Sequence, residues 1–384
     1  MAGKTEDRQL PCQQPGMGVS PPLHPNVLEV DGLKVYFQLE EGEVRAVDGV
    51  TFAVPRGKIV ALVGESGCGK SVTAYSILRL IQKPGRILGG RIMLYPQARP
   101  PIDLTALDEA AETLYEVRGG LVSMIFQEPM TALSPVHTIG NQICEAVLLH
   151  QKMTPREAQA RAAEMLRRVG IPGADKRLFQ YPFEMSGGMR QRAVIAMALA
   201  CNPELLIADE PTTALDVTIQ AQIMGLMKRL QQDLGTAILL ITHNLGVVAQ
   251  MADEVAVMYL GRIVERASVR TILKSPRHPY TLGLLASLPG LTRKKPGDTV
   301  ALGLPSRQAR RGRLFSIRGS VPSLTEIPSG CPFHPRCPYF EPGRCDVAGP
   351  PPLELVAEGH QVACFRAGEI ASRQDGKKTM KDEW

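Results

Sequence analysis

A glycine-rich octapeptide carries the clearest anion-binding chemistry in the sequence. It follows an apolar run at residues 58–63, opens a helix-like run at 72–80, and reads Gly64-Glu65-Ser66-Gly67-Cys68-Gly69-Lys70-Ser71. This fits the phosphate-loop pattern G-x-x-x-x-G-K-[ST] without a mismatch. The glycines let consecutive backbone N–H groups face phosphate oxygens, and the helix N-terminus adds positive potential. We therefore predict that Lys70 bridges the β- and γ-phosphates of a nucleotide and that the Ser71 hydroxyl ligates Mg²⁺.

Two carboxylates end a second apolar run and supply the acidic half of such a site. Residues 205–208 are apolar, and Asp209 and Glu210 follow directly. An apolar strand ending in two acids is common by itself. Phosphoryl transfer, however, needs an electrostatic cradle and an acid near the nucleophile. Beside the phosphate loop, the pair predicts that Asp209 holds Mg²⁺ through water and that Glu210 polarises the attacking water.

Composition indicates a packed chain that does not cross a membrane. Hydrophobic residues make up 44% of the 384 residues and charged residues 21%. The longest clean apolar stretch, 193–201, is about half of the ~18 residues that a spanning helix needs. The first residues lack the apolar core of a secretory signal. We therefore expect a cytosolic chain. Its net charge of +6 comes mainly from a basic stretch at 293–318, and such a stretch is typical of a solvated linker.

The eight cysteines divide into two groups. Four are isolated, and one of these, Cys68, lies inside the phosphate loop, which predicts that nucleotide binding is sensitive to thiol reagents. The other four cluster near the C-terminus at Cys331, Cys337, Cys345 and Cys364. In a cytosolic protein such clustering favours a metal site over disulfides.

The order of segments predicts an α/β fold. Residues 1–26 are rich in Pro, Gly and Gln and are expected to be a disordered tail. From Val27 onward, strand-like runs that are apolar on both faces alternate with helices, as in a buried parallel sheet. Thr154, Pro155 and Glu157 predict a capped helix start, and Gly170 predicts its stop. Proline, glycine and basic residues become frequent after about 290, so we place a domain boundary near Pro289.

An octapeptide about twenty residues before the acidic strand identifies the family. Met185-Ser186-Gly187-Gly188-Met189-Arg190-Gln191-Arg192 resembles the ABC signature motif, usually Leu-Ser-Gly-Gly-Gln. Met185 and Met189 depart from the general form, but Met189-Arg190-Gln191-Arg192 resembles the form seen in peptide-importer ATPases. A Ser-Gly-Gly turn at a helix start is a second anion site. In the family this second site completes the ATP bound by a partner subunit, which implies partner-ATP contacts at Ser186, Gly187, Gly188, Met189 and Gln191.

Further motifs follow in the family order over about residues 27–290. Gln127 matches the Q-loop glutamine, Ala214-Leu215-Asp216 resembles the D-loop, and His243 matches the switch histidine. The resemblance implies a P-loop NTPase (RecA-like) core with a β-subdomain and a helical subdomain at about 130–200. It also implies that Glu210 and His243 act catalytically, that Mg²⁺ is held by Ser71, Gln127 and Asp209, and that ATP contacts residues 64–71, Val72 and Gln127. Phe37, or less favourably Tyr36, is the aromatic candidate for adenine.

The remainder, 291–384, resembles the C-terminal extension of the dipeptide/oligopeptide/nickel importer subfamily. The resemblance rests on His278-Pro279-Tyr280-Thr281, Gly319-Ser320-Val321-Pro322 and the segment 330–337. In relatives with the spacing Cys-x5-Cys-x7-Cys-x18-Cys, the four thiolates hold a [4Fe–4S] cluster. That resemblance implies an irregular cysteine-rich domain with a cluster at Cys331, Cys337, Cys345 and Cys364. A Cys₄ zinc site and unliganded thiols are the alternatives.

The family resemblance implies ATP-driven peptide import. The expected partners are a second ATPase subunit, by family habit a related chain, two membrane permeases and an extracytoplasmic binding protein, with the ATPase peripheral on the cytoplasmic face. Import of nickel or another small solute is the nearest alternative. A nucleic-acid ATPase or an iron–sulfur assembly factor is a more distant one. Against these, the chain has one ATPase unit and no long coiled coil between Ser71 and Ser186, so no nucleic-acid partner is expected.

Overall fold

Two sheets organise the chain. The structure, a computed structural model, describes residues 23–128, 132–212, 216–288, 316–347 and 349–370. Its strands are β1 (Asn26–Leu39), β2 (Gly42–Pro55), β3 (Ile59–Val63), β4 (Gly85–Leu94), β5 (Ile102–Asp103), β6 (Val122–Ile125), β7 (Leu205–Asp209), β8 (Ala237–Thr242), β9 (Glu254–Tyr259), β10 (Arg262–Ser268), β11 (Glu354–Ala357) and β12 (His360–Val362).

Ten helices connect and cover these strands. They are α1 (Lys70–Ile77), α2 (Glu112–Val117), α3 (Ile139–His150), α4 (Pro155–Arg168), α5 (Ala174–Arg177), α6 (Gly187–Leu199), α7 (Val217–Leu234), α8 (Leu245–Met251), α9 (Val269–Lys274) and α10 (Pro279–Ala286) within the described ranges. Among these helices, none combines the length and the apolar character that crossing a membrane requires.

The larger sheet positions the site. Its described strands run in the order β11-β12-β10-β9-β3-β8-β7-β6, and the five from β9 to β6 are parallel. Every residue of β3, β7 and β8 is buried, which confirms the parallel sheet predicted from runs that are apolar on both faces. Parallel strands end at one common edge, so the loops after β3, β6, β7 and β8 gather there.

The smaller sheet is antiparallel, in the order β2-β1-β4-β5. Its apolar face shares one core with the larger sheet, so that Val35 and Phe52 belong to the same buried cluster as Leu62 and Ile207. This is the β-subdomain that the resemblance implied. It forms one side of the phosphate loop, since the Ala46 carbonyl of β2 lies directly against Gly69.

The helices α3 to α6 pack around a second core, within the range where the helical subdomain is predicted. The start of α4 confirms the predicted capping box, because Thr154 Oγ1 accepts from Glu157 N at 3.3 Å and Glu157 Oε2 accepts from Thr154 N at 2.7 Å. Gly170 follows the helix with φ +75°, a left-handed conformation that favours glycine, so the predicted stop is also confirmed.

The C-terminal region joins the larger sheet. Strand β12 pairs antiparallel with β10, with Glu265 opposite Val362, and β11 pairs with β12. The boundary expected near Pro289 lies outside the described residues. The described part of 291–384 therefore extends the ATPase sheet through these two strands, while residues 316–347 contain only turns and a short 3₁₀ segment; the separate irregular domain stays a prediction. Antiparallel pairing over so few residues gives too little periodicity for a sequence to reveal.

Candidate nucleotide site

The phosphate loop connects β3 to α1, as its pattern predicted. Two of its glycines are required by close backbone contacts. A Cβ atom at Gly69, whose φ is +101°, would lie 2.1 Å from the Ala46 carbonyl oxygen, and one at Gly64 would lie 2.2 Å from the Met258 carbonyl oxygen. Neither oxygen can move aside as a flexible side chain could, because both belong to the backbone. The loop is therefore packed tightly on one side, while Ser66 and Gly67 remain exposed on the other.

Lys70 is held inside this loop. The side chain is 5% exposed, and Nζ donates to the Gly64 carbonyl at 3.0 Å and to the Glu65 carbonyl at 2.9 Å. The ammonium group is thus kept within the curve of the loop, where the phosphates of a nucleotide would be bound. Ser71 and Val72 follow Lys70 in the first turn of α1, and both are half-buried.

Cys68 is shielded in the folded loop. It is 1% exposed, and its Sγ lies 3.7 Å from Lys70 Nζ. Burial raises the pKa of the Cys68 thiol, and the nearby Lys70 charge offsets only part of that effect. A protonated, buried thiol is a poor nucleophile. This burial argues against the thiol sensitivity expected for this loop. The position of Cys68 in the sequence gave no sign of it.

Asp209 has the surroundings expected of a magnesium ligand. It is fully buried at the end of β7, and neither carboxylate oxygen makes a hydrogen bond of ordinary geometry to any described residue. Burial raises the pKa of Asp209, Glu210 adds to that rise, and the Ser71 hydroxyl and Lys70 partly oppose it. A buried carboxylate that lacks hydrogen bonds of ordinary geometry is costly unless a cation neutralises it. The residues present therefore fit Mg²⁺, with Asp209 and Ser71 as the groups that would hold it.

Glu210 and His243 meet at the edge where β7 and β8 end. His243 Nδ1 lies 2.9 Å from Glu210 Oε1. Glu210 adopts φ +45°, a conformation uncommon for a non-glycine residue, and its backbone N–H donates to the Ile241 carbonyl at 2.9 Å. Such strain is found at positions whose side chain must be aimed in one direction. The Glu210 side chain is only 12% exposed, whereas that of His243 is 63% exposed.

Gln127 and Phe37 occupy different environments. Gln127 is exposed two residues beyond β6, at the same sheet edge as the two acids. Phe37 is half-buried in β1 and packs on the core cluster that both sheets share, with its ring against Gly85. The neighbouring Tyr36 donates its hydroxyl to Asp48 at 2.7 Å. The structure gives Phe37 a packing contact, and its predicted role in adenine binding stays a prediction.

The serine-glycine-glycine turn begins α6. Ser186 is exposed and caps the helix, since its Oγ accepts from Met189 N at 3.3 Å. The Met189 side chain packs against the core of the helical subdomain. Gln191 is 1% exposed and donates its amide to the Pro211 carbonyl at 2.5 Å. The prediction that Gln191 contacts a partner's ATP is therefore wrong, because a helix turns this position inward, onto the segment that follows Glu210.

The D-loop lies only partly within the described residues. Ala214 and Leu215 are outside them. Asp216 caps α7, with its Oδ1 accepting from Ile219 N at 2.9 Å. The capping role accounts for the acidic residue at this position without any nucleotide contact.

The four C-terminal cysteines line one cavity. Cys331, Cys337, Cys345 and Cys364 all border it, and it encloses about 10 Å³. Burial raises the pKa of Cys331 to about 11 and the pKa values of Cys337 and Cys364 to about 12. Across the ranges described above, no three His, Cys, Asp or Glu side chains converge as ligands of a metal ion. The thiols suit a cluster by chemistry and number, but this cavity has room for about one water molecule.

A fifth polar group borders the same cavity. His278 is 1% exposed and caps α10 through Nδ1, which accepts from Tyr280 N at 3.1 Å. Its Nε2 has no hydrogen-bond partner among the residues that the structure describes. Burial lowers the pKa of His278 to about 4, so the ring is neutral near pH 7.

Sequence reasoning missed one contact between the C-terminal region and the phosphate loop. Arg336 Nη1 donates to Glu65 Oε2 at 2.7 Å and Nη2 donates to Glu65 Oε1 at 3.1 Å. The two residues are 271 positions apart in the chain. Glu65 occupies a variable position of the loop pattern, and Arg336 is one basic residue among many, so no local signal joined them.

Comparison with known proteins agrees with this geometry. A family model described as ABC transporter matches residues 47–213, and one described as the C-terminal region of oligopeptide/dipeptide transporters matches residues 264–345. The oligopeptide transport ATP-binding protein AppD of Bacillus subtilis (strain 168) is 47% identical over 349 residues, which is 91% of this chain and 99% of AppD. The chain belongs to the ABC transporter ATPase family.

Other relatives support the same membership. The dipeptide transport ATP-binding protein DppD of Escherichia coli (strain K12) is 44% identical over 90% of this chain and 98% of DppD. A protein of Brucella abortus (strain 2308), whose name refers to peptide import, is 51% identical over 90% of this chain and 98% of its own. The ATP-binding cassette MJ0796, solved as a dimer with ADP and Pi, has a TM-score of 0.55 and 25% identity, covering 63% of this chain and 99% of MJ0796. As an ABC ATPase, this chain uses ATP, and Mg²⁺ is the ion expected with it.

Proposed function

We propose that this ABC ATPase powers the import of oligopeptides or dipeptides. One observation carries the proposal: a complete phosphate loop and acidic strand are joined in one chain to a C-terminal region of the oligopeptide/dipeptide transporter type. The names of AppD and DppD agree with this cargo class. Nickel or another small solute is the alternative cargo, since the ATPase subunit does not itself contact what is carried.

At the nucleotide, each residue has a proposed role that its position supports. Lys70 and the backbone N–H groups of residues 64–71 bind the phosphates, and Ser71, Asp209 and exposed Gln127 serve the magnesium ion. Mg²⁺ supplies charge neutralisation of the phosphate oxygens when bound. Glu210, aimed by its strained backbone, orients and polarises the attacking water. His243, held against Glu210 at 2.9 Å, contacts the γ-phosphate from the more exposed side.

A second ATPase subunit is proposed to complete each site. The exposed Ser186 begins α6 beside two glycines whose Cβ positions are open: nothing described lies within 4 Å of one at Gly187, and only an Ile219 methyl lies near one at Gly188, at 3.6 Å. Such a turn can approach a phosphate on another chain closely. Replacing Ser186 by Arg should leave nucleotide binding by this subunit intact and abolish hydrolysis in the assembled transporter. Unchanged hydrolysis would exclude a shared site.

The permease-facing surface is proposed on the helical subdomain. Three exposed aromatic residues precede the signature turn: Phe179 (66% exposed), Tyr181 (38%) and Phe183 (69%). The rings of Tyr181 and Phe183 stack, with their centroids 5.5 Å apart. Exposed aromatic residues are enriched at protein interfaces. Two permease subunits in the membrane would then hold the chain peripherally at the cytoplasmic face.

For the four cysteines we propose that they ligate a [4Fe–4S] cluster, with a zinc ion as the alternative. The support is the donor set, four thiols on one cavity, with the neutral His278 ring beside them. The cavity must widen to receive a cluster. Anaerobic purification should give a brown protein with about four irons per chain. Stoichiometric zinc without iron would overturn this assignment.

Transport tests the function as a whole. The full chain would be reconstituted with its permeases, its partner ATPase and the binding protein, and uptake of a labelled tripeptide would be measured beside uptake of ⁶³Ni²⁺. We expect ATP-dependent peptide uptake that Lys70→Ala abolishes. Nickel uptake without peptide uptake would replace the proposed cargo, and nucleic-acid-stimulated hydrolysis without any uptake would replace transport itself.

A further inference from the structure

Glu65 is a point of contact between the ATP site and the C-terminal region. Its carbonyl accepts from Lys70 Nζ at 2.9 Å, and its backbone N–H donates to the Tyr280 hydroxyl at 2.9 Å. Its carboxylate accepts two parallel N–H groups from Arg336. The carbonyl, the N–H and the carboxylate of Glu65 are therefore each held by a different residue. Two of these three partners, Tyr280 and Arg336, lie near or within the C-terminal region.

Arg336 is itself firmly placed. Its side chain is 5% exposed, its Nε donates to the Arg318 carbonyl at 3.1 Å, and its Nη1 lies 3.4 Å from the Tyr259 hydroxyl. The residue ends a short 3₁₀ turn, His334–Arg336, that leads directly to Cys337. A buried guanidinium with all three nitrogens engaged has little freedom to move, and its planar fork matches a carboxylate in one orientation.

We propose that Arg336 is a positioning residue for the phosphate loop. By fixing the Glu65 carboxylate, it holds the Glu65 carbonyl against Lys70 and so keeps the loop in the conformation that receives a nucleotide. It contacts neither ATP nor magnesium in this role. Arg336 thereby becomes an additional positioning group of the nucleotide site, whatever the cargo is and whatever the cysteines bind.

The test uses the full-length chain and Mg-AMP-PNP as the probe, measured by titration calorimetry. Arg336→Gln should weaken binding about tenfold, because a bidentate hydrogen bond to a charged group is lost. Arg336→Lys, which keeps the charge but not the fork, should recover part of that loss. Arg344→Gln is the matched control: Arg344 belongs to the same region, but its ion pairs to Glu341 and Glu369 stay within it.

A double-mutant cycle separates positioning from general damage. If the two groups act together, Glu65→Gln combined with Arg336→Gln should bind the probe about as well as the weaker single variant. In the assembled transporter, Arg336→Gln should raise KM for ATP about tenfold while kcat changes less than about twofold. The unfolding midpoint of each variant is measured without nucleotide. If Arg336→Gln fails to fold, Glu65→Gln tests the same contact from its other side and should weaken binding of the probe.

Two results would overturn the inference. One is wild-type affinity in a folded Arg336→Gln protein or, where that variant does not fold, in a folded Glu65→Gln protein. The other is an equal loss of affinity in Arg336→Gln and Arg344→Gln, which would indicate only a loosened C-terminal region. A wild-type chain that fails to bind Mg-AMP-PNP at all would instead refute the nucleotide site, so the two failures are distinguishable.

Discussion

His243 Nδ1 and Glu210 Oε1 lie 2.9 Å apart, although they end different strands of the larger sheet. The contact brings together a strained, mostly buried carboxylate and an exposed imidazole at the edge that also carries the phosphate loop. A hydrogen bond between these groups fixes both side chains before a nucleotide arrives, and such preorganisation lowers the cost of aligning water for attack.

Glu210→Gln should retain ATP binding and lose turnover by roughly 10²- to 10⁴-fold, because the amide cannot accept a proton from water. Bound but unhydrolysed ATP should then hold two ATPase subunits together, which size-exclusion chromatography would detect. Glu204→Gln is the control, since Glu204 immediately precedes β7 and pairs with Arg56 at 2.8 Å. Hydrolysis at the wild-type rate by Glu210→Gln would remove Glu210 from its role.

Alkylation should largely spare Cys68 in the folded protein. Cys68 is 1% exposed, and burial raises the pKa of its thiol. The reactive thiolate therefore forms only at a higher pH than it does in a free cysteine. With iodoacetamide at pH 8, peptide mass spectrometry should find Cys68 unmodified in the native chain and modified once urea unfolds it. Rapid native labelling, accompanied by loss of nucleotide binding, would restore the thiol sensitivity that the sequence suggested.

Thr154→Ala should lower the free energy of unfolding by about 1 kcal/mol, because the N-terminal N–H groups of α4 lose their side-chain acceptor. Thr154→Ser keeps the hydroxyl and should remain close to the wild type. Urea unfolding followed by circular dichroism gives the comparison. Equal destabilisation by alanine and serine would mean that the threonine methyl group, not the cap, is what matters.

Glu265→Leu should destabilise the chain by roughly 3–5 kcal/mol, since three donors, two of them buried, would lose one shared acceptor. The fully buried carboxylate accepts from Arg277 N at 2.6 Å, from His278 N at 3.0 Å and from His360 Nε2 at 2.8 Å. Glu265→Gln keeps the shape and one acceptor oxygen, so its cost should be smaller. Denaturant titration of both variants is the measurement, and a stable leucine variant would contradict the anchoring role of Glu265.

The sequence predicted what short segments encode. The phosphate loop, the acids after β7, the parallel sheet and the cap at Thr154 each follow from residues that are close together in the chain, where pattern and conformation are directly linked. Family resemblance then supplied the order of the motifs and the meaning of the serine-glycine-glycine turn.

What the sequence could not predict depends on distant pairing or on the side of an element that a residue faces. Arg336 reaches Glu65 across 271 residues, and nothing in either neighbourhood marks the partner. Gln191 was assigned outward by its motif, yet the helix buries it against Pro211. Likewise, the composition around the cysteines indicated an irregular domain, and only tertiary packing brings β12 onto β10.

That last pairing has a consequence for shortened forms of the chain. Removing everything after residue 290 would strip β12 from β10 and leave a row of unsatisfied backbone donors and acceptors along one side of the ATPase sheet. An uncovered strand of this kind recruits other strands, including those of its own copies. A truncated chain would thus be prone to aggregate. Loss of activity in such a preparation would reflect aggregation through the exposed sheet edge, not a defect in ATP hydrolysis.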